Sequence, residues 1–328
     1  MSLPALTLGN PQFGRSCRIV VNDIEVARPG RTLAEIEALP VQGGFPEAAD
    51  TGLDVAFVVT RHNRIEPNTT EVTIYNLSEA HRNELRSTFD ALYELGFEER
   101  VVAPGGRVRV EAGYGGVVEV LAEADIVDLD EDYDGTTWAL TITAQDGYVP
   151  WRYGFVSESI APGVDASVLW NLMLSSWNAS MGAEAEAAFM AALPDFQAKV
   201  VQGGMVLHGE TREVVPEILE SMKLKLSFQD GEIVLLPFEG ATLDEAVELN
   251  PDTGLLGRPR FKRNGMATAS ALLNPKLRPG RQVRLAKADR SVWGVGTYRI
   301  DWCEHRGTLP DGDWISTVEL RPTKLGAG

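Results

Sequence analysis

Asn68-Thr69-Thr70-Glu71-Val72-Thr73-Ile74-Tyr75-Asn76-Leu77-Ser78 and Pro104-Gly105-Gly106-Arg107-Val108-Arg109-Val110-Glu111-Ala112-Gly113-Tyr114-Gly115-Gly116 decide how this chain is read. In the first segment Val72 and Ile74 alternate with Glu71 and Thr73, the period of a strand with one dry and one wet face. Ser78 stands where it can cap a following helix. In the second segment Val108, Val110 and Ala112 face one way, and Arg107, Arg109 and Glu111 the other. Between them Leu85, Phe89, Leu92 and Leu95 recur near helical spacing, so residues 78–100 are predicted as a helix inserted into a β pattern.

The second half of this stretch has an echo near the C-terminus. Pro104-Gly105 leads into a strand, then come the strand Val117–Val127, the turn Asp134-Gly135 and the strand Thr137–Ile142. Pro279-Gly280 likewise leads into Arg281–Leu285, then the strand Gly296–Trp302, the turn Asp311-Gly312 and the strand Asp313–Val318. Order and spacing point to an internal duplication, with coincidence the competing reading because Pro-Gly turns and strand tryptophans are common.

Upstream, Cys17, Ile19 and Val21 alternate with Arg18 and Val20, turn at Asn22-Asp23 and return through Ile24 and Val26, a hairpin over Phe13–Ala27. Arg28–Thr51 is a long Gly- and Pro-rich loop, and the apolar run from Asp54 to Thr60 predicts a strand buried on both faces. Trp138, Leu140, Ile142 and Ala144 share a core face, as does Trp314 in the second copy. From Tyr148 the pattern turns helical. Asp165 can cap a helix carrying Leu169, Leu172, Met173 and Trp177, and a second helix, Ala183–Leu193, ends at Pro194. A third begins near Thr211, with Pro216 limiting its regularity upstream. Leu224–Phe228 and Ile233–Leu236 form a hairpin about Asp230-Gly231, and strands return from Arg258 to Pro322. The predicted class is α+β, mainly β, in three parts: 1–147, 148–257 and 258–328.

At 328 residues, 44% hydrophobic and 23% charged, the chain has ample core and is not disordered in composition. Its net charge of −17 disfavours nonspecific attraction to nucleic acid or an anionic membrane, and no basic patch is assigned. Met1–Thr7 lacks a signal-peptide start, no run nears the ~20 apolar residues of a spanning helix, and synthesis in the cytoplasm is expected. The two cysteines, Cys17 and Cys303, are too few for a disulfide framework and are predicted as buried thiols.

Chemistry-bearing patterns are weak. Asp130, Asp132, Asp134 and Gly135 match the opening of a calcium loop, but its twelfth position falls on Thr141 and a strand follows, so an acidic hairpin turn is favoured. His62, His81, His208 and His305 are scattered without metal-site spacing, and no nucleophile elbow or phosphate loop occurs. No catalytic, cofactor-binding or metal residue is assigned.

Several motifs in order along the chain carry a resemblance: Phe13-Gly14-Arg15; Pro67-Asn68 before Glu71–Ser78; Val110–Tyr114; Gly254-Leu255-Leu256-Gly257-Arg258-Pro259; Leu272–Gly280; Tyr298-Arg299-Ile300; His305-Arg306-Gly307; and Gly312-Asp313-Trp314. With them the chain resembles the baseplate hub proteins of tailed bacteriophages, including those of Mu-like contractile tails and related injection systems. The helix in 78–100 and the loop 28–51 depart from the pattern by their length.

The resemblance implies two similar tube-type antiparallel β-barrels flanking a mixed helical and hairpin middle region. It also implies a non-enzymatic, cofactor-free homotrimer in the virion tail that joins the tail tube protein to a central spike protein, with the tape-measure protein as a further partner. Three copies with two like barrels each present six barrels to a sixfold tube. DNA would pass through the channel without specific binding, repelled by carboxylates within a Debye length of about 8 Å. The subunit contact is expected along barrel edge strands, at Val110 and Val283. A sixfold distal tail or tube-initiator ring is the alternative, and a β-rich cell-wall hydrolase a more distant one.

Overall fold

Wherever apolar residues alternate with polar ones, the backbone is extended, because only a strand places every second side chain on one face. The computed structural model describes residues 14–27, 54–99, 106–163, 167–177, 180–181, 189, 204–238, 245–285 and 296–323. The loop 28–51, the Pro104-Gly105 turn, Asp165, all of the second predicted helix but Phe189, and the side chains of Leu92, Leu95 and Trp177 lie outside what is described.

The first hairpin is β1 (Arg15–Val21) and β2 (Ile24–Ala27), joined by Asn22 and Asp23 at φ 48° and 69°. Next come β3 (Val55–His62), β4 (Asn68–Tyr75), the helix α1 (Glu79–Glu99), β5 (Arg107–Tyr114), β6 (Val117–Tyr133) and β7 (Trp138–Asp146). Ser78 caps α1 as expected, its Oγ accepting from the N–H of His81 at 3.3 Å. Near the C-terminus are β13 (Val247–Leu249), β14 (Leu255–Phe261), β15 (Ala267–Leu272), β16 (Gln282–Leu285), β17 (Gly296–Leu309) and β18 (Trp314–Pro322).

These form one 13-stranded sheet in which a five-strand order occurs twice: β3-β4-β7-β6-β5 and β14-β15-β18-β17-β16. Every neighbouring pair in both sets is antiparallel. The regions after Pro104 and Pro279 therefore occupy equivalent places, and the duplication extends two strands upstream of the segments that revealed it. The flanks differ: β1 runs antiparallel to β5, whereas β13 runs parallel to β16.

Neither set closes on itself among the described residues. Instead β17 serves both: its residues Gly296–Arg299 pair with β16, and Trp302–Leu309 pair with β3. The change of partner falls at a bulge between Ile300 and Trp302, where Asp301 is the extra residue.

Each set encloses its own core. Ile19, Val59, Val72, Ile74, Val110 and Ile142 are buried in the first, and Ala269, Leu277, Val283, Ile300, Cys303 and Leu320 in the second. A third core holds the middle region. There α3 (Ser167–Trp177) and α4 (Thr211–Ser221) pack Leu169, Met173, Val215 and Leu219 against the hairpin β11 (Leu224–Gln229) and β12 (Glu232–Pro237). A short helix, α2 (Tyr148–Tyr153), leads into a two-stranded sheet of β8 (Phe155–Ile160) and β10 (Met205–Glu210), while β9 (Ser180–Met181) lies parallel to β12.

Several expectations are corrected. β3 is buried on one face only, with Ala56 and Val58 half-buried, because it runs antiparallel between β4 and β17. β6 continues six residues past Val127, so the acidic run is strand and only Asp134-Gly135 turns. Trp138 is 37% exposed, since the hairpin overhangs the end of the core, whereas Trp314 is buried edge-on against Phe57 at 5.5 Å. As expected, α4 begins at Thr211, so only five of its residues precede Pro216, whose ring cannot donate to the Arg212 carbonyl and crowds it. Val110 and Val283 are on interior strands, β5 between β1 and β6 and β16 between β13 and β17, so neither marks an edge.

Gly307 on β17 sits where the two sets meet, and a Cβ there would lie 2.1 Å from Phe57 Cζ and 2.8 Å from Trp314 Cζ3. Gly307→Ala is expected to lower the unfolding free energy by roughly 1–3 kcal/mol through overpacking, measured by urea denaturation.

Candidate functional site

The most densely connected polar site is where the middle region meets the sheet. Asp230 and Gly231 at the tip of the β11–β12 hairpin have φ 57° and 81°, the left-handed pair of a tight turn. That geometry points two N–H groups outward, and Asp146 at the end of β7 accepts both, from Asp230 at 2.5 Å and from Gly231 at 2.8 Å. The Asp230 carboxylate pairs with Arg61 of β3 through one oxygen and with Arg278 at 2.8 Å through the other. Arg278 also donates to the Val120 carbonyl of β6 at 2.7 Å. Four ionisable residues, two acids and two bases, thus tie all three cores together.

Shorter contacts hold the hairpin in register. Asn68 Nδ2 donates to the Phe228 carbonyl at 2.5 Å, and Ser227 Oγ to the His62 carbonyl at 2.7 Å. Gly147 leaves no room for a Cβ, which would fall 2.2 Å from Phe228 Cγ. Burial pushes the Asp146 carboxyl up to about 7, against the opposing pull of Arg61 and of the Gly231 and Asp230 N–H groups.

A second buried carboxylate marks the bulge in β17. Asp301 accepts from Arg299 Nε at 2.8 Å, Arg321 Nε at 2.5 Å and Asn63 Nδ2 at 2.8 Å. Burial alone would raise its pKa, but the hydrogen bonds and charges of Arg321 and Arg299 outweigh it and hold it below the ordinary carboxylate range. Arg299 reaches on to the Pro237 carbonyl at 2.8 Å, so this bulge is also fastened to the middle region.

The residues weighed as chemical candidates do not converge. His62, His81 and His208 lie on β3, α1 and β10, while His305 is buried on β17. Cys303 Sγ is 3.6 Å from His305 Nε2, yet burial raises the thiol to about 12 and lowers the imidazole to about 3. Both are neutral, so the pair is the reverse of an activated thiolate and imidazolium. Cys17 is likewise a buried free thiol. In the acidic run Asp134 accepts from the N–H groups of Thr136 and Thr137, which lower its pKa, and Asp128 and Asp132 accept from their own neighbours' amides. Among the described residues no group of three His, Cys, Asp or Glu is placed to hold a metal ion, and no helix is long and apolar enough to cross a membrane. A cleft of about 280 Å³ lies between the Asn63–Glu66 turn and α4, lined by Ile65, Pro216, Leu219, Leu226 and Phe238 with Lys225 and Glu220 at its sides.

One surface was missed in the sequence. Arg258, Arg260, Lys262 and Arg263 lie exposed on β14 and the turn after it, with Leu256 and Phe261 exposed among them. The segment Arg258-Pro259-Arg260-Phe261-Lys262-Arg263 spells out a basic patch directly, so the expectation that the chain carries none is overturned.

No protein-family model and no curated protein matches the chain. Solved structures do. A 43 kDa tail protein of prophage MuSo2 from Shewanella oneidensis superposes with a TM-score of 0.56 at 9% identity, over 94% of this chain and 97% of that one. A tail protein from Neisseria meningitidis MC58 gives 0.53 at 10% identity, over 94% and 97%. This chain has the fold of phage tail proteins. The Escherichia coli c3393 protein, a component of the type VI secretion system described as structurally similar to the T4 tail proteins gp27 and gp5, gives 0.50 at 7% identity, over 83% of this chain and 74% of that one.

Two outcomes test the junction. Asp230→Ala strands the Arg61 guanidinium, whose side chain is only 2% exposed, and is expected to cost about 3–5 kcal/mol in urea denaturation. Arg278→Ala, at a side chain 34% exposed, is expected to cost less. Asp146 has its folded pKa raised from 3.8 to about 7, so its contribution is fully present below 3.8 and is lost as pH rises through about 7. The stability advantage of the native chain over Asp146→Asn should therefore shrink as pH rises across that window, as followed by denaturation at several pH values.

Proposed function

We propose that the chain is a structural baseplate hub: a homotrimeric adaptor in the virion tail that seats on the sixfold tail tube protein and carries a threefold central spike protein. The observation that carries this reading is the five-strand order found twice in one sheet. A ring of three such chains presents six similar sheet units, which is what a sixfold partner requires, while any feature present once per chain recurs three times. The middle region, built from its own core between the two sets, is such a feature. Under this reading the chain divides into units at 1–147, 148–257 and 258–328, a division that three separate cores support, with Leu249 and Leu255 joining the last from upstream.

The tail fold supports a role carried by surfaces and symmetry, and under this reading the chain works without catalysis or cofactor. The tape-measure protein is a further partner under this reading, and DNA passes through the assembled channel without specific contacts. Mass photometry of the purified full chain at rising concentration is expected to give a species of three subunits. Six subunits would favour a distal tail or tube-initiator ring instead.

A further inference from the structure

β14 is the outermost strand at one end of the sheet, and one of its edges has no partner strand among the described residues. From Gly257 to Asn264, β14 and the turn after it carry four cations and no carboxylate, in a chain with 47 acidic residues against 30 basic ones; one of the four, Lys262, pairs with Glu319 of β18 at 3.0 Å. Leu256 and Phe261 are 41% and 42% exposed beside those cations. Pro259, which has no N–H to donate, and the break in the β14–β15 register between Leu256 and Arg260 make this an irregular edge that is blunted against strand addition. What the edge offers is a side-chain surface, cationic with apolar ends.

The opposite surface exists on the same chain. At the tip of the β6–β7 hairpin Asp128, Asp130, Glu131, Asp132 and Asp134 stand within seven residues. Asp130 and Asp132 share the solvent face of β6, while Glu131, answered by Arg86 at 3.7 Å, and the stacked Tyr133 and Trp138, the latter covered by Arg82 at 4.2 Å, lie on its other face. β14 and β7 are six strand positions apart in the sheet order, about 29 Å along it at ~4.8 Å per strand.

We propose that the β14 edge of one copy receives the acidic β6–β7 hairpin of a second copy, head to tail, with Arg258, Arg260 and Arg263 against the aspartates. Such a contact uses two different patches, and it gives a closed ring where the rotation between copies closes, as the hub reading requires. It deepens the hub reading and rests on it for the ring's size alone. A protein occupant is favoured over nucleic acid because apolar groups flank the cations and the rest of the chain is strongly acidic.

Mass photometry of the full chain tests this with Arg260→Glu/Arg263→Glu, Asp130→Lys/Asp132→Lys and the four substitutions combined, each checked for native melting by circular dichroism. Each reversal is expected to raise the concentration of half-assembly by roughly tenfold or more through like-charge contact, and the combined swap to restore it. Wild-type assembly should weaken at ~1 M salt, where the Debye length falls to about 3 Å. Trimers indifferent to both reversals and to salt would overturn the interface and leave the hub reading standing. A six-membered ring broken by each reversal and rescued by the swap would keep the interface and remove the hub. A wild-type chain that stays monomeric would overturn both. Reversals at β14 that abolish binding of a labelled DNA duplex, by fluorescence anisotropy, while assembly is unchanged would assign the strip to nucleic acid and overturn the proposal.

Discussion

Buried backbone N–H and C=O groups must all find partners, and in β17 this one requirement shapes the protein. On the side away from β18, its first residues bond to β16 and its last eight to β3. The partner changes where β17 bulges at Asp301, and the Asp301 carboxylate accepts from the buried Arg299 and Asn63 and from the half-exposed Arg321. The two like sheets are joined into one because a single strand finds partners in both.

The middle region is held by a different balance. Burying Arg61 and Asp146 would be costly for either alone, since a lone ion loses its hydration. The hairpin tip supplies what both lack: two amide donors for Asp146 and a carboxylate for Arg61. Because the same carboxylate also holds Arg278, the tip sits in one orientation against both sheet sets. Packing without tolerance, as at Gly147 against Phe228, fixes it further.

How much of this is legible in sequence depends on the range over which each feature is encoded. The turns at Asn22-Asp23 and Asp230-Gly231, the alternation of β4 and the cap at Ser78 lie within a few residues, and each takes the predicted form, whereas β5 departs at a bulge where Glu111 is buried beside Arg18 and Arg109. The repeat is legible because its landmarks keep their order. β6 is longer than expected because its acids suggest a turn, although Leu129 keeps the period and is buried at 8%. Trp138 occupies a core-facing position but lies beyond the core's end, which no local pattern marks. The junction is invisible to any window: Asp146 and Gly231 are 85 residues apart, and Arg61 and Asp230 are 169. The basic strip on β14 was readable and was masked by the acidity of the whole.

Because β17 runs unbroken through both cores, no loop or linker stands between the two sheet sets at that point. Relative rotation would have to bend a strand bonded on both sides, so the angle between the halves has little play. A body of this kind behaves as a single stiff bracket, transmitting a push on one half to the other instead of absorbing it at a joint.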